Sequence, residues 1–279
     1  MPTCARNLAF TAMTCVGLSI ATLNSNPASA WDRGPVETFA VLPQGAPKIE
    51  GLTVGDDGNV YVSTFDPTGT QSAQLFVFKK DGKPLRNVTI AGSSPATLGL
   101  AFQPGTGMLL VLDFGAGNVR AVDPVTGASS VCITVTSPPV APGLNALTFD
   151  AAGNTYISDS FGGIIWKKSG PGCGAATAWV SDPMLLPNGI PPFGANGLGF
   201  NAAGTTLFVA NTSTDSLIAI PVSGGTAGTP QAFTQSINGA DGIVLDADDN
   251  IWVVANQADE IVVVDPTGKV IAKLGDFNG

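Results

Sequence analysis

Four oxygen-bearing side chains, Glu50, Asn145, Asn196 and Asp241, stand at the same point of a repeated pattern. Their motifs read EGLTVGDDGNVYVST, NALTFDAAGNTYISDS, NGLGFNAAGTTLFVANT and DGIVLDADDNIWVVAN, and a fifth copy, LGLAFQPGTGMLLVLDF, has Leu98 in that place. Two carboxylates and two amide oxygens brought together form a hard-oxygen cage with a net charge of −2. Calcium suits such a set best, since it accepts six to eight oxygens in flexible geometry and fills the remainder with water. With neither thiolate nor imidazole in the set, zinc and copper are poor candidates. The plain alternative is that each residue caps the loop before a strand, where Asn and Asp are common. Register-matched oxygen donors in four of five copies favour a shared site.

The elements that must position these residues follow from the repeat. Each copy has a small residue, an apolar run, a turn rich in Asp, Asn and Gly, and a second apolar run, which is a β-hairpin. Further strand-like runs follow each hairpin: Gln74 to Phe78 and Leu85 to Ile90 after the first, Val119 to Val122 and Ser130 to Ile133 after the second. The others are Gly163 to Lys167 and Thr177 to Val180, Ser216 to Pro221 and Gln231 to Phe233, and Glu260 to Val264 and Val270 to Leu274. Four strands in a unit of about 48 residues make a propeller blade, because a single unit cannot bury its own apolar face. The innermost strand of each blade lines the central channel, so one repeat position points at one axial region from every blade. Val36 to Val41 offers an extra strand that could join the last blade. The chain is therefore expected to be an all-β propeller of four-stranded blades with five visible, either a five-bladed ring or one that lacks its final blade.

Composition narrows the chemistry. There is no histidine among the 279 residues, which removes Ser-His-Asp and Cys-His nucleophiles and any His general base. The acidic turns Asp56–Asn59 and Asp248–Asn250 lack the spaced ligands of an EF-hand loop and read as solvated turns. Residues 1–30 resemble a signal peptide: Arg6, a mostly apolar stretch from Leu8 to Leu23, and a small-x-small ending at Ala30. Residues 31–279 would then form one exported propeller domain, periplasmic or extracellular. Losing Arg6 takes the net charge from −9 to −10, and an acidic surface without a basic cluster argues against nucleic acid or anionic membrane as partner. Cys132 and Cys173 remain after cleavage, and an oxidising compartment permits a disulfide between them, although sequence does not supply their distance.

The segments P-x-I-E-G-L, G-L-N-A-L-T-F-D, A-N-G-L-G-F-N-A-A-G-T-T-L-F-V-A-N-T and A-D-G-I-V-L-D-A-D-D-N-I-W-V resemble the senescence-marker-protein/gluconolactonase/luciferin-regenerating-enzyme family. The resemblance runs from about Val41 onward. It implies a six-bladed propeller, so that the five visible blades of residues 31–279 would be a ring lacking its last blade, incomplete at its carboxyl end. Also implied is calcium or a similar divalent ion held by a Glu, two Asn and an Asp, which fall on Glu50, Asn145, Asn196 and Asp241. It also implies hydrolysis of a small-molecule lactone or related ester. Asp241 would be the catalytic base, as the carboxylate available in a site without His, and Asn145 and Asn196 would position substrate as well as metal. Two positions depart from the sugar-lactonase pattern: Gly143 stands where those members have Arg, and Gly163 where they have Glu. A polyhydroxylated sugar lactone is therefore disfavoured. Phosphotriester hydrolysis at the same site, or a non-catalytic calcium-stabilised binding propeller, are the other readings. Phe114, Asp159, Phe161, Phe193, Asn211, Asn256 and Gln257 are candidates to line the mouth, with Pro191–Gly194 as a loop over it.

Overall fold

Period-two alternation of β-branched and aromatic residues with small or polar ones should give strands apolar on both faces of a stacked blade. A computed structural model describes residues 33–34 and 36–275; the stretch read as a signal peptide lies outside them. Among the described residues the regular structure is strand, apart from two single 3-10 turns, and no helix is long and apolar enough to cross a membrane.

Five antiparallel four-stranded blades follow one another. The first three are Lys48–Val54, Val60–Phe65, Gln74–Phe78 and Pro84–Thr89; Thr97–Phe102, Leu109–Asp113, Asn118–Val122 and Ser129–Val135; and Leu144–Phe149, Thr155–Asp159, Ile164–Lys168 and Gly174–Ser181. Blade 4 is Ala195–Phe200, Thr206–Asn211, Ser216–Ser223 and Gln231–Gln235, and blade 5 is Ala240–Leu245, Ile251–Ala255, Glu260–Val264 and Val270–Leu274. The strands anticipated for the five repeat units are all present, within a few residues at their ends.

The core is a series of sandwiches between neighbouring blades. Leu75 and Val77 of blade 1 meet Leu109 and Val111 of blade 2, and Leu112 and Val119 meet Ile157 and Trp166. Tyr156 and Ile165 meet Leu207 and Val209, and Phe208 and Leu217 meet Val253 and Val262. Each such fully buried aliphatic side chain stabilises by roughly 1.5–3 kcal/mol relative to exposure.

The seam between blades 2 and 3 is fastened further. Their outermost strands pair in parallel, Gly174 opposite Ile133 and Ala176 opposite Val135, so the two blades form one eight-stranded sheet. Cys132 and Cys173 are joined in a disulfide beside that pairing, with Cα atoms 4.5 Å apart.

Between blades 5 and 1 the seam is open. Leu52 and Val54 on one side, and Val244, Trp252 and Val254 on the other, are exposed apolar residues on faces that no other blade covers. The amino-terminal segment covers part of this region. Val36 to Val41 is irregular rather than the expected strand, and the strand that joins the last blade is Arg33–Gly34, parallel to Lys273–Leu274. Ala40, Leu42 and Ala46 pack instead on Val62, Phe76 and Phe78 of blade 1. Apolar burial on that face outweighs the local strand propensity of Val36 to Val41.

Candidate functional site

Each inner strand breaks its pairing register at the same place. The shifts fall between Ile49 and Leu52, Thr97 and Leu100, Leu144 and Leu147, Ala195 and Leu198, and Ala240 and Ile243. The residues inside them are Glu50-Gly51, Leu98-Gly99, Asn145-Ala146, Asn196-Gly197 and Asp241-Gly242. A bulge suspends the strict alternation of a strand and re-aims a side chain, and here it does so at every register-matched position. The freed backbone N–H groups are accepted by hydroxyls, Gly51 N–H by Ser63 Oγ at 3.1 Å and Ala146 N–H by Ser158 Oγ at 3.0 Å.

Glycine at the second bulge position lets adjacent inner strands touch. A Cβ on Gly51 would lie 2.6 Å from the Leu98 carbonyl oxygen, one on Gly99 would lie 2.8 Å from that of Asn145, and one on Gly197 would lie 2.4 Å from that of Asp241. Gly242 alone of this series meets only Val254 of its own blade, at 4.0 Å, because its other side is the open seam.

The four sequence-predicted ligands, Glu50, Asn145, Asn196 and Asp241, line one cavity of about 470 Å³ in the channel, above Leu52, Leu100, Leu147 and Leu198. Asn145 Nδ2 donates to Ser160 Oγ at 3.1 Å, and that hydroxyl donates in turn to the Ala195 carbonyl at 2.7 Å. Asn196 Nδ2 likewise donates to Thr212 Oγ1 at 2.9 Å, and Thr212 donates to the Ala240 carbonyl at 2.8 Å. Each hydroxyl proton is committed to a carbonyl, so the hydroxyl can only accept from the amide. This dictates the amide orientation and leaves both Oδ1 atoms unengaged by these braces. Asp241 accepts from Asn256 Nδ2.

Ser160, Thr212 and Asn256 each follow the second strand of their blade by one residue, one brace per ligand. By pairing register the matching residues of blades 1 and 2 are Phe65, the last of its strand, and Phe114, so Glu50 lacks the brace. Sequence reading listed Asn256 and missed Ser160 and Thr212. The signal was present in the endings ISDS, VANT and VVAN of the aligned copies.

The electrostatics are those of carboxyls held back from water. Glu50 faces the open channel yet is ringed by protein, and this removal from bulk water, followed by the nearby Asp241 charge, pushes its carboxyl up to about 8. Burial also raises Asp241, against the hydrogen bonds of Asn256 and Asn196. Two carboxyls held back from water, beside two oriented amides, fit a hard divalent cation.

The other candidates divide. Phe114, Phe161 and Phe193 converge at the quartet's end of the channel, with ring centroids 5.5 Å apart for Phe114 and Phe161 and 5.7 Å for Phe161 and Phe193. Gln257 is exposed beside Asn256. Asp159 and Asn211 do not line the mouth, because both are fully buried and spent on the backbone. Asp159 accepts from the N–H groups of Gly143, Phe161 and Gly162 and from Trp166 Nε1, while Asn211 Nδ2 donates to the carbonyls of Met184 and Leu186. The loop at Pro191–Gly194 is tied down by Gly194 N–H to the Ser160 carbonyl and Ser213 N–H to the Phe193 carbonyl. The acidic turns lie at the far end of the inner strands, where Asp57, Asp150 and Asp246 close their own turns and accept from Tyr61, Tyr156 and Trp252.

No curated protein matches the sequence. Among solved structures, a gluconolactonase from Xanthomonas campestris is 16% identical, with 84% of this chain and 77% of that one covered and a TM-score of 0.63. The calcium-binding protein regucalcin from Agrobacterium tumefaciens is 19% identical over 86% of this chain and 80% of that one, also at 0.63. A virginiamycin B lyase from Staphylococcus aureus is 16% identical over 82% and 70%, at 0.57. At such identities these likenesses speak for the fold alone. The sequence itself goes further, for the model of the SMP-30/Gluconolactonase/LRE-like region matches residues 93–275, more than half of the chain, and the protein belongs to that family.

Proposed function

We propose that the protein is an exported, divalent-cation-dependent hydrolase of a lactone or related ester. The observation that carries this reading is the braced pair of amides, whose oxygens the braces leave unengaged in the cavity that Glu50 and Asp241 also line. These four residues would hold the cation, calcium being the best fit to their oxygens. A cation bound there supplies Lewis-acid chemistry, polarising a carbonyl and stabilising the oxyanion.

The chain's own residues do the rest. Asp241, the carboxylate available in a site without histidine, takes the proton of the attacking water. Asn256 orients the Asp241 carboxylate, and Ser160 and Thr212 hold the two amides in the orientation that presents oxygen inward. A histidine-based route is absent from this chain, whereas the Staphylococcus aureus lyase is inactivated by replacing a histidine.

Thermal melting in EDTA and in millimolar calcium tests the site. At calcium about a thousand times its dissociation constant, the midpoint should rise by roughly 8–16 °C, and Asp241→Ala should abolish the rise. Asp241→Asn should abolish turnover on any lactone the wild type hydrolyses. A cooperative melt indifferent to calcium would sink the cation site. Export is supported by the Cys132–Cys173 disulfide, which suits an oxidising compartment. Amino-terminal sequencing of protein recovered outside the cytoplasm should begin at Trp31, and intact Met1 on cytoplasmic protein would defeat it.

A further inference from the structure

The mouth is built asymmetrically. On the side of blades 2 and 3, Phe114, Phe161 and Phe193 come together from three separate loops, Phe161 and Phe193 stacked and Phe114 edge-on to Phe161. Phe161 is 37% exposed and Phe114 and Phe193 are half-buried, so ring surface remains open to solvent. Leu186, 41% exposed, lies beside them against Gly163. The charged residues that flank Phe114 and Phe161 in the chain are turned inward. Asp113 is spent on Ser94 and the Ala116 N–H, and Asp159 accepts the N–H of Phe161 itself. On the side of blades 4 and 5 the corresponding positions are polar: Thr212, Ser213, Asn256 and Gln257.

The aromatic side is joined directly to the quartet. Phe161 follows Ser160, the hydroxyl that orients Asn145, and Gly194 beside Phe193 donates to the Ser160 carbonyl. Gly143, two residues before Asn145, lies under the Phe161 ring, and a Cβ there would come within 2.7 Å of it. A Cβ on Gly163 would meet Leu186 at 2.7 Å. Neither place has room for a polar side chain that could hold sugar hydroxyls. Partly exposed aromatic faces with no hydrogen-bonding group between them gain by covering apolar surface, and give a polyhydroxylated body no partners for its hydroxyls.

We propose that this aromatic rim selects a substrate with an apolar body, an aryl or alkyl lactone or ester, over a polyhydroxylated one. The assignment deepens the hydrolase reading and rests on it for its catalytic part, so binding and turnover are measured separately. Titration calorimetry in calcium compares two inert carbonyl isosteres, an aryl lactam (dihydroquinolinone) and gluconolactam. The aryl lactam should bind at least about tenfold tighter. Phe193→Ala and Phe161→Leu, the latter keeping an apolar cover over Gly143, should each weaken it several-fold and leave gluconolactam unchanged. Equal or tighter gluconolactam binding, no binding of either lactam, or variants that weaken both alike would each overturn the proposal. Turnover of dihydrocoumarin and glucono-δ-lactone forms the second arm. Aryl lactam binding as expected with neither lactone hydrolysed would support the rim and remove the hydrolase reading; faster turnover of glucono-δ-lactone would overturn the rim.

Discussion

Two seams of this ring are built from the same kind of blade and end up differently. Between blades 2 and 3, Leu112, Val119, Ile157 and Trp166 interdigitate, the outer strands pair, and a disulfide crosses beside them. Between blades 5 and 1, Val244, Trp252 and Val254 face solvent across from Leu52 and Val54. The glycines of the inner-strand bulges report the same contrast: Gly51, Gly99 and Gly197 are pressed against the next strand, and Gly242 is not. Both seams carry apolar faces, so the contrast lies in whether another blade of the described residues meets them. The two braced amides lie on the closed arc, while Glu50 and Asp241 stand on the blades that flank the open seam.

The largest expected effect comes from unfastening the closed seam. Cys132→Ser with Cys173→Ser opens a cross-link spanning 41 residues and should cost about 3–4 kcal/mol in a denaturant melt; no loss would mean that strand pairing alone secures the seam. The glycine contrast is next. Gly197→Ala drives a Cβ into backbone and should destabilise by roughly 1–3 kcal/mol, while Gly242→Ala should be neutral or stabilising by up to about 1 kcal/mol. Equal costs at both positions would contradict an open seam. Thr212→Val keeps the shape and removes the brace, leaving the Ala240 carbonyl unpaired, so a loss of about 1–2 kcal/mol is expected. The same substitution should weaken calcium about 10–100-fold in titration, and unchanged affinity would show that Asn196 needs no orienting.

The smallest effect is the pH response. Glu50 is raised to about 8 and Asp241 is raised as well, so the folded state favours their neutral forms. Their stabilising contribution is complete below the ordinary carboxyl range and is lost as pH climbs toward 8. In EDTA the melting midpoint should drift downward over that interval. Glu50→Gln should flatten the drift, and an upward drift would contradict the burial of the two carboxyls.

Much of this architecture was readable because it repeats. A hairpin written five times exposes its own register, and the four oxygen donors could be aligned without coordinates. Ser160 and Thr212 escaped notice because hydroxyls after a strand are common, and their role depends on the carbonyl of the next blade accepting the proton. Val36 to Val41 misled because strand propensity is local, whereas the cover over Phe76 and Phe78 is a tertiary demand. Asp159 and Asn211 looked like mouth residues from their place in the repeat. Only the N–H and C=O groups of their surroundings show that they shape the loops instead. The pairing of the outer strands of blades 2 and 3 joins positions far apart in the chain, which no hairpin pattern announces.

The eight-stranded sheet with its disulfide ties blades 2 and 3 together, and with them the strand that carries Asn145. Glu50 and Asp241 stand on the two blades whose facing sides carry exposed apolar residues. A cation held by all four donors would therefore be a second cross-link, made inside the channel, between the first and fifth blades.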